Sequence, residues 1–196
     1  NKSNNSLVGG IYEFMSNGEL SDFVATDKAD YFFSFLTINR LSQGIDYLHS
    51  NSYVHRDLKP GNILIDHDFI PYISDFNTIK TMNSSSDLKT TQNIGIIQYA
   101  SPEQMIQSNE KLNFSTDVYS FGQLIYLMFE KKDMIDDFDF DYIIERIKKI
   151  PKMKNASEQI QKFCQKCVSY EPKDRPNIYH IKLFIYEQIK SLNLNE

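Results

Sequence analysis

With 196 residues, of which 41% are hydrophobic and 24% charged, the chain has the length and composition of one globular domain. Its formal net charge of −5, without a basic stripe, argues against a nucleic-acid or anionic-membrane partner. No apolar stretch approaches the ~20 residues that span a bilayer, and no signal-peptide pattern opens the chain, so the expected location is the cytoplasm.

The predicted elements begin after a polar lead at residues 1–6, and the folded domain is expected over residues 7–192, with a tail at 193–196. Apolar residues at 7–15 predict a strand that ends in an Asn-Gly turn. Apolar residues at three- and four-residue spacing predict helices at 31–49, 138–150 and 178–192.

The most informative segment, at 55–62, reads His-Arg-Asp-Leu-Lys-Pro-Gly-Asn. Two short Ile-rich runs follow, at 62–66 and 71–74, and they flank a polar turn, which predicts a β-hairpin. The tripeptide Asp-Phe-Asn at 75–77 comes directly after it. Together these segments present an Asp, a Lys and an Asn from a loop and a second Asp from the end of a hairpin.

Three later segments complete the pattern, and each alone has an ordinary explanation. The Ser-Pro-Glu sequence starts a helix with Pro at its first position. A lone Asp117 after Ser115 and Thr116 is an ordinary helix N-cap. It is the order of all the segments that is informative. They read Tyr99-Ala-Ser-Pro-Glu103, Asp117-Val-Tyr-Ser-Phe-Gly122 and Glu171-Pro-Lys-Asp-Arg-Pro176.

In this order the segments resemble the hinge and C-terminal lobe of a eukaryotic protein kinase, of serine/threonine type and tyrosine-kinase-like branch. The resemblance implies an α+β fold, a mainly α-helical C-terminal lobe with a small β-hairpin. No glycine-rich loop and no Val-Ala-Ile-Lys strand precedes the hinge, so the N-terminal lobe is expected to be largely absent. The implied reaction is transfer of the ATP γ-phosphate to a protein hydroxyl, with Mg²⁺.

The resemblance assigns a role to each polar residue of the central segments. Asp57 matches the base that accepts the substrate hydroxyl proton, and Lys59 matches the lysine that neutralises the γ-phosphate. Asn62 and Asp75 match the two side chains that hold Mg²⁺. Asp117 matches a buried residue that hydrogen-bonds the backbone of the catalytic loop.

The hinge of the resembling family contacts ATP, largely through its backbone. The Glu13 carbonyl and the Met15 amide would face adenine, and Glu19 or Asp22 would lie near the ribose. Leu64 is also expected to contact ATP. The same hinge residues fit an apolar strand ending in a turn, so as a sequence signal they are weak.

Two residues depart from the family pattern. Asn77 stands where the third residue is usually Gly, and Asn tolerates a positive φ, so the backbone shape is expected to survive. Ile96 stands where a Thr hydroxyl usually bridges the catalytic Asp and Lys. Loss of that hydrogen bond, roughly 1.5–3 kcal/mol, would slow catalysis by about one to two decades.

Two further contacts are implied by the resemblance. Arg56 would pair with a phosphate added to the Ser/Thr-rich loop at 78–94, although such a loop is also an ordinary flexible connection. Arg175 would pair with Glu103. Cys164 and Cys167 have apolar neighbours at helical spacing and are expected to pack in a core rather than bind zinc.

A pseudokinase or scaffold lobe that binds a partner protein without catalysis is the alternative function. The expected absence of the N-terminal lobe favours this alternative, because the apolar face that this lobe normally covers would be left for a partner protein to cover. The four residues Asp57, Lys59, Asn62 and Asp75 favour the enzyme. A third alternative is that the chain is a piece of a longer kinase.

Overall fold

The computed structural model describes residues 12–82, 97–105, 113–135 and 150–192. Its helices are α1 (Leu20–Phe23), α2 (Tyr31–Ser50), α3 (Pro102–Met105), α4 (Phe114–Glu130), α5 (Glu158–Cys167) and α6 (Ile178–Ser191). Its strands are β1 (Tyr53–Val54), β2 (Ile63–Ile65), β3 (Pro71–Ile73) and β4 (Lys80–Thr81). Short 3₁₀ helices occupy Pro60–Asn62, Phe76–Thr78, Ile97–Tyr99 and Pro172–Asp174. The described part is therefore an α+β fold in which helices dominate.

The strands form two small antiparallel sheets. Strands β2 and β3 pair with Ile63 opposite Ile73 and Ile65 opposite Pro71, which confirms the predicted hairpin. Strands β1 and β4 pair in a second sheet that the sequence analysis does not predict. Two-residue strands are too short to show the alternation of apolar and polar residues that indicates a strand.

Helices α2 and α6 confirm the predictions at 31–49 and 178–192. Their N-caps are Asp30 and Asn177, whose side chains each accept a hydrogen bond from the backbone amide three residues further on. The helix predicted at 138–150 lies outside the described residues apart from its last one. Among the described helices, none combines the length and the apolar character needed to cross a membrane.

Helix α4 forms the centre of the core, and every residue from 116 to 130 is buried. A helix that is enclosed in this way packs on all of its sides. A Cβ atom at Gly122 would lie 2.6 Å from Val168 Cγ1 and 2.7 Å from Cys167 Cβ. The absence of a side chain at Gly122 therefore allows the end of α5 to approach α4 closely.

The two cysteines of α5 are free thiols without exposed surface. Cys164 Sγ donates a hydrogen bond to the Gly122 carbonyl at 3.2 Å, and burial raises the pKa of Cys164 to about 12. Burial also raises the pKa of Cys167 well above its usual value. The predicted packing of these cysteines in a helical core is confirmed.

Helix α4 also brings Asp117 to the loop that joins β1 and β2. The Asn113 side chain caps the helix by accepting a hydrogen bond from the Ser115 amide at 2.8 Å. The alternative in which Asp117 is the N-cap is therefore wrong. Asp117 lies in the first turn instead, fully buried, with its side chain available to neighbouring segments.

Candidate active site

In the loop between β1 and β2, two polar side chains contact the carboxylate of Asp57. Its Oδ2 accepts hydrogen bonds from Lys59 Nζ at 2.8 Å and from Asn62 Nδ2 at 2.9 Å. Asn62 Nδ2 also donates to the Asp57 backbone carbonyl at 2.7 Å. The Asp57 side chain is 28% exposed, and both side-chain contacts use one oxygen. Within the described residues, no side chain donates a hydrogen bond to the other oxygen, Oδ1.

The carboxylate of Asp117 holds the backbone of this loop. Its Oδ2 accepts from the His55 amide at 2.9 Å, and its Oδ1 accepts from the Arg56 amide at 2.8 Å. His49 Nε2 lies 2.9 Å from Oδ2. A buried carboxylate is costly unless it is hydrogen-bonded, and this one has three partners. The contact predicted between Asp117 and the loop backbone is confirmed.

The segment after β3 is tied to the same loop by hydrogen bonds. The Ser74 amide and hydroxyl donate to the Asn62 carbonyl at 2.8 and 3.0 Å, and Thr78 Oγ1 donates to the His55 carbonyl at 2.8 Å. His55 Nε2 lies 3.1 Å from the Ser74 carbonyl. Because these bonds lie on both sides of Asp75, they fix that residue relative to the loop.

Asp75 itself has the left-handed backbone conformation, with φ 57° and ψ 69°. Asp is one of the few residues other than Gly that adopt this region readily. Asn77 does not have a positive φ and lies in the 3₁₀ helix that follows. The positive φ that the sequence analysis considered for Asn77 lies at Asp75 instead. Its Nδ2 instead donates to Asp75 Oδ1 at 2.7 Å.

Two of the residues expected to contact ATP lie beside the catalytic loop. Glu19 forms an isolated antiparallel bridge with Leu64. A Cβ atom at Gly61 would come within 3.2 Å of Glu19 Oε2. Leu64 is half-buried while Ile63 and Ile65 are fully buried, so its side chain lies on the opposite face of β2 from the core.

The other three residues expected to contact ATP lie at the hinge and on α1. Met15 is half-buried, and its carbonyl accepts from the Gly18 amide at 3.1 Å, which closes the predicted turn with φ 69° at Gly18. Glu13 is exposed. The pKa of Tyr72 on β3 is raised, first by desolvation, then by Asp66 and to a smaller extent by the charge of Glu13. Asp22 is exposed on α1, and its side chain makes no hydrogen bond within the described residues.

Arg56 is a buried cation with few partners. Its guanidinium has one contact, a hydrogen bond from Nη1 to the Thr78 carbonyl at 3.5 Å, and its Nε has no partner within the described residues. Burial lowers the pKa of Arg56, and the charge of Asp117 partly offsets that effect. The Arg56 backbone is also strained, with φ 74°.

A buried ion pair joins α3 to the segment before α6. Arg175 Nη1 and Nη2 donate to the two carboxylate oxygens of Glu103, both at 2.8 Å. Arg175 also donates to the carbonyls of Ser115, Ser169 and Tyr170, so all of its nitrogens have partners. The predicted pairing of Arg175 with Glu103 is confirmed.

Comparison with known proteins shows which family has this arrangement of residues. A family model described as the protein kinase domain matches residues 2–186. This chain belongs to the protein kinase family. Its match includes the catalytic loop, the Asp-Phe-Asn segment and the Glu103–Arg175 pair, so the residues described above are those of a kinase domain.

Three relatives show the breadth of this similarity. The human ankyrin repeat and protein kinase domain-containing protein 1 is 31% identical over 86% of this chain and 24% of its own length. Mouse receptor-interacting serine/threonine-protein kinase 4 is 29% identical over 89% of this chain and 24% of its own length. Rust resistance kinase Lr10 of wheat is 26% identical over 94% of this chain and 34% of its own length. The chain thus spans about a quarter to a third of these relatives.

Protein kinase domains use ATP and a divalent metal ion and act on protein substrates. The donor groups here fit such an ion: Asn62 commits its Nδ2 to Asp57 and keeps its amide oxygen, and Asp75 keeps Oδ2. Within the described ranges, no group of three or more His, Cys, Asp or Glu side chains is arranged to hold a metal ion by itself. Two protein oxygens plus phosphate oxygens are what a Mg²⁺ site of this type requires.

Some contacts of the kinase domain were not found from the sequence. His49, Ser74 and Thr78 all hydrogen-bond the loop or its anchor. Ser74 and Thr78 flank the Asp-Phe-Asn tripeptide, which was a usable signal, but nothing in a single sequence marks His49. Ile96 and most of the Ser/Thr-rich loop lie outside the described residues, so the expectations for them stay predictions.

Proposed function

We propose that this kinase domain transfers the γ-phosphate of Mg·ATP to a serine or threonine hydroxyl of a protein. The observation that carries this proposal is the arrangement around Asp57. Lys59 and Asn62 hold Oδ2 and leave Oδ1 open. A carboxylate fixed through one oxygen is oriented to accept a proton on the other, which general base catalysis requires.

In the proposed reaction the substrate hydroxyl donates its proton to Asp57 as its oxygen bonds to the γ-phosphorus. The bond between that phosphorus and the bridging oxygen of ATP breaks, and ADP leaves. Lys59 stabilises negative charge on the transferring phosphoryl group, since its ammonium already lies within 2.8 Å of the base. Lys59 at this position also supports serine or threonine over tyrosine as the acceptor.

Asn62 and Asp75 are proposed to hold Mg²⁺, whose charge would neutralise the phosphate oxygens when ATP is bound. The hydrogen bond from Asn77 to Asp75 Oδ1 supports this role, because it orients the carboxylate and leaves Oδ2 for the metal. Hydrogen bonds that orient a ligating carboxylate are typical of metal sites.

ATP itself is proposed to lie between the hinge and β2. Glu19 and Leu64 support this location because they bridge the two segments next to Gly61. The Glu13 carbonyl and the Met15 amide would then bind the adenine edge. Asp22 is the second candidate for the ribose.

Regulation by phosphorylation is part of the proposal. Within the described residues, the buried guanidinium of Arg56 has an unpartnered Nε and one long contact, to Thr78. A phosphate added on the loop at 78–94 would supply two charge-assisted hydrogen bonds to it. The phosphorylated wild-type protein is expected to transfer phosphate to the substrate faster than the dephosphorylated form. For Arg56→Gln, the phosphorylated and dephosphorylated forms are expected to transfer phosphate at equal rates.

The cytoplasm is the proposed compartment. Cys164 and Cys167 are free thiols, which agrees with a reducing environment, since disulfides form and persist in oxidising compartments. This support is independent of the catalytic residues.

A partner-binding lobe without catalysis is the second candidate function. Large exposed side chains near the hinge favour it, because Tyr12 is 89% and Phe14 86% exposed. Phe76, beside Asp75, is 50% exposed. A partner protein is proposed to cover this upper face in either case, since exposed apolar groups of this size mark interaction sites.

The two candidates are separated by a transfer assay with analysis of the phosphorylated amino acid. The chain is incubated with Mg·ATP and a generic protein substrate, and ATP binding is titrated in parallel. Phosphoserine and phosphothreonine are expected. Absence of both transfer and nucleotide binding would contradict the kinase proposal for this chain and leave a partner-binding lobe or a piece of a longer kinase.

A further inference from the structure

Gln104 connects helix α3 to the catalytic loop through both ends of its amide. Its Oε1 accepts hydrogen bonds from the Ser101 backbone amide at 2.9 Å and from the Ser101 hydroxyl at 3.1 Å. Its Nε2 donates to the Arg56 carbonyl at 2.9 Å. One side chain therefore ties the start of α3 to the residue that precedes Asp57.

The first half of this arrangement corresponds to one of the two hydrogen bonds of a capping box. In this motif a Ser before the helix is followed three residues later by Glu or Gln, whose side chain accepts from the Ser amide. Glu would serve this purpose as well as Gln, because only an oxygen is needed. The contact with Arg56 is different, because only the amide nitrogen of Gln104 can donate to a carbonyl. Helix capping alone does not explain the Gln.

The second contact, from Gln104 Nε2 to the Arg56 carbonyl, lies at a strained part of the backbone. Arg56 has φ 74°, an uncommon conformation for a residue other than Gly, which persists only where its surroundings impose it. Asp117 Oδ1 holds the Arg56 amide and Gln104 holds the Arg56 carbonyl. These two contacts fix the residue from opposite sides.

The Arg56 carbonyl and the Asp57 amide belong to one planar peptide unit. Among the described residues, the contact of the Asp57 amide is a long one, to His55 Nδ1 at 3.4 Å. The Gln104 hydrogen bond, at 2.9 Å, is the shorter of these two contacts of the peptide unit. Rotation of the plane would turn the Asp57 side chain away from Lys59 and Asn62.

We propose that Gln104 is a positioning residue, which holds the Arg56–Asp57 peptide and thereby orients the proposed base. The inference rests on the proposed function only for its effect on catalysis. The restraint on the peptide is a property of the fold. Because Gln104 follows Glu103, the same short helix connects the buried Glu103–Arg175 pair to the base.

The test is amide hydrogen exchange at Asp57 in the full chain at pH 7, where a Glu carboxyl is ionised. Gln104→Glu keeps the capping acceptor and loses the donor. Gln104→Met keeps the length and adds no charge, in case the Glu variant folds poorly. Ser101→Ala is the matched control, because it removes the hydroxyl and keeps both the Ser101 amide contact and the Arg56 contact.

Both Gln104 variants are expected to speed exchange at Asp57 about five- to tenfold, the effect of one net hydrogen bond. Exchange at Ile65, whose amide donates to the Gly18 carbonyl, is expected to change less than about twofold as an internal reference. Unchanged exchange at Asp57 in both Gln104 variants would overturn the proposal. An equal increase in Ser101→Ala would also overturn it.

The effect on catalysis is measured by determining kcat and the KM for ATP separately. Gln104→Glu is expected to lower kcat about five- to tenfold and to leave the KM for ATP within twofold, because the change affects the base and not the hinge. A normal kcat beside faster exchange would contradict the role in orienting the base. If wild-type protein transfers no phosphate, the proposed function fails, and the exchange result still decides whether Gln104 restrains the peptide.

Discussion

The carboxylate of Asp117 holds the backbone of Arg56, the residue immediately before the proposed base, with an Oδ1 to amide nitrogen distance of 2.8 Å. The second carboxylate oxygen takes the His55 amide. Two consecutive amides of the catalytic loop are thus bound to one buried side chain on the central helix α4. The position of Asp57 depends in this way on the rigid core rather than on the loop alone.

Asp117→Asn is expected to reduce both stability and activity. The Asn side chain keeps the size but replaces one acceptor with a donor, which then faces a backbone amide. The free energy of unfolding should fall by about 1–3 kcal/mol, the cost of a buried unsatisfied donor. The rate of transfer should fall by up to about 100-fold, because the base is misplaced.

Urea unfolding and steady-state kinetics measure these two effects. Asp68→Asn is the matched control, because Asp68 is an exposed carboxylate in the turn between β2 and β3. The control is expected to resemble the wild type. Equal behaviour of the two variants would contradict the anchoring role of Asp117.

The buried pair of Glu103 and Arg175 is expected to show strong coupling. Removing one partner, as in Arg175→Met, leaves the other buried without its counter-charge and should cost about 3–5 kcal/mol. Glu103→Gln combined with Arg175→Met should cost less than the sum of the single changes. A double-mutant cycle from urea unfolding gives the coupling, and additive losses would contradict a direct pair.

The same pair predicts a pH dependence of stability. Burial acts to raise the pKa of Glu103, but hydrogen bonds and charge from Arg175 outweigh it, so the pKa is lowered from its ordinary value of 4.5. The folded chain therefore binds fewer protons at this site than the unfolded chain. Its contribution to stability is fully present above the ordinary pKa and is lost as the pH falls through the folded pKa.

Unfolding of wild-type protein and of Glu103→Gln between about pH 6 and pH 3 measures this contribution. The wild-type free energy of unfolding should fall more steeply below the ordinary carboxyl pKa than that of the variant. The variant is the less stable protein at neutral pH, and the difference should narrow on acidification. Parallel curves would show that Glu103 does not titrate with a lowered pKa.

Two helical glycines are expected to respond differently to the same change. A Cβ at Gly122 meets Cys167 Cβ at 2.7 Å and the Val168 amide nitrogen at 3.2 Å, neither of which is the end of a flexible side chain. A Cβ at Gly44 meets Ile73 Cδ1 at 2.9 Å, the tip of a side chain that can turn aside. Both substitutions by Ala gain about 1 kcal/mol of helix propensity.

Overpacking a core usually costs about 1–3 kcal/mol, so after the gain in helix propensity Gly122→Ala should destabilise the fold by up to about 2 kcal/mol. Gly44→Ala should be close to neutral. Thermal unfolding of the two variants measures the difference. A stabilised Gly122→Ala variant would show that α4 and α5 are not in close contact.

Much of the fold could be predicted because its signals are local. The periodicity of α2 and α6 and the Ile-rich runs of the hairpin indicate their elements directly. The Glu103–Arg175 pair spans 72 residues and was predicted only through family resemblance. No spacing rule connects two residues so far apart in sequence.

The parts that sequence reasoning missed depend on tertiary contacts. The left-handed residue at the end of the hairpin is Asp75 rather than Asn77, because hydrogen bonds of Ser74 and Thr78 to the loop determine the local backbone. No signal in the sequence connects Gln104 with the loop between β1 and β2. Its partner Arg56 lies 48 residues away.

The central claim, that Asp57 is the base of a phosphoryl-transfer site, is tested most directly by single-turnover transfer from Mg·ATP. Wild-type protein, Asp57→Asn and Asp68→Asn are compared, with the Asp68 variant as the control for the same change on an exposed turn. Transfer by the wild type and by the control is expected, and in Asp57→Asn the rate should fall about 10²-fold or more. Equal rates for wild type and Asp57→Asn would contradict it.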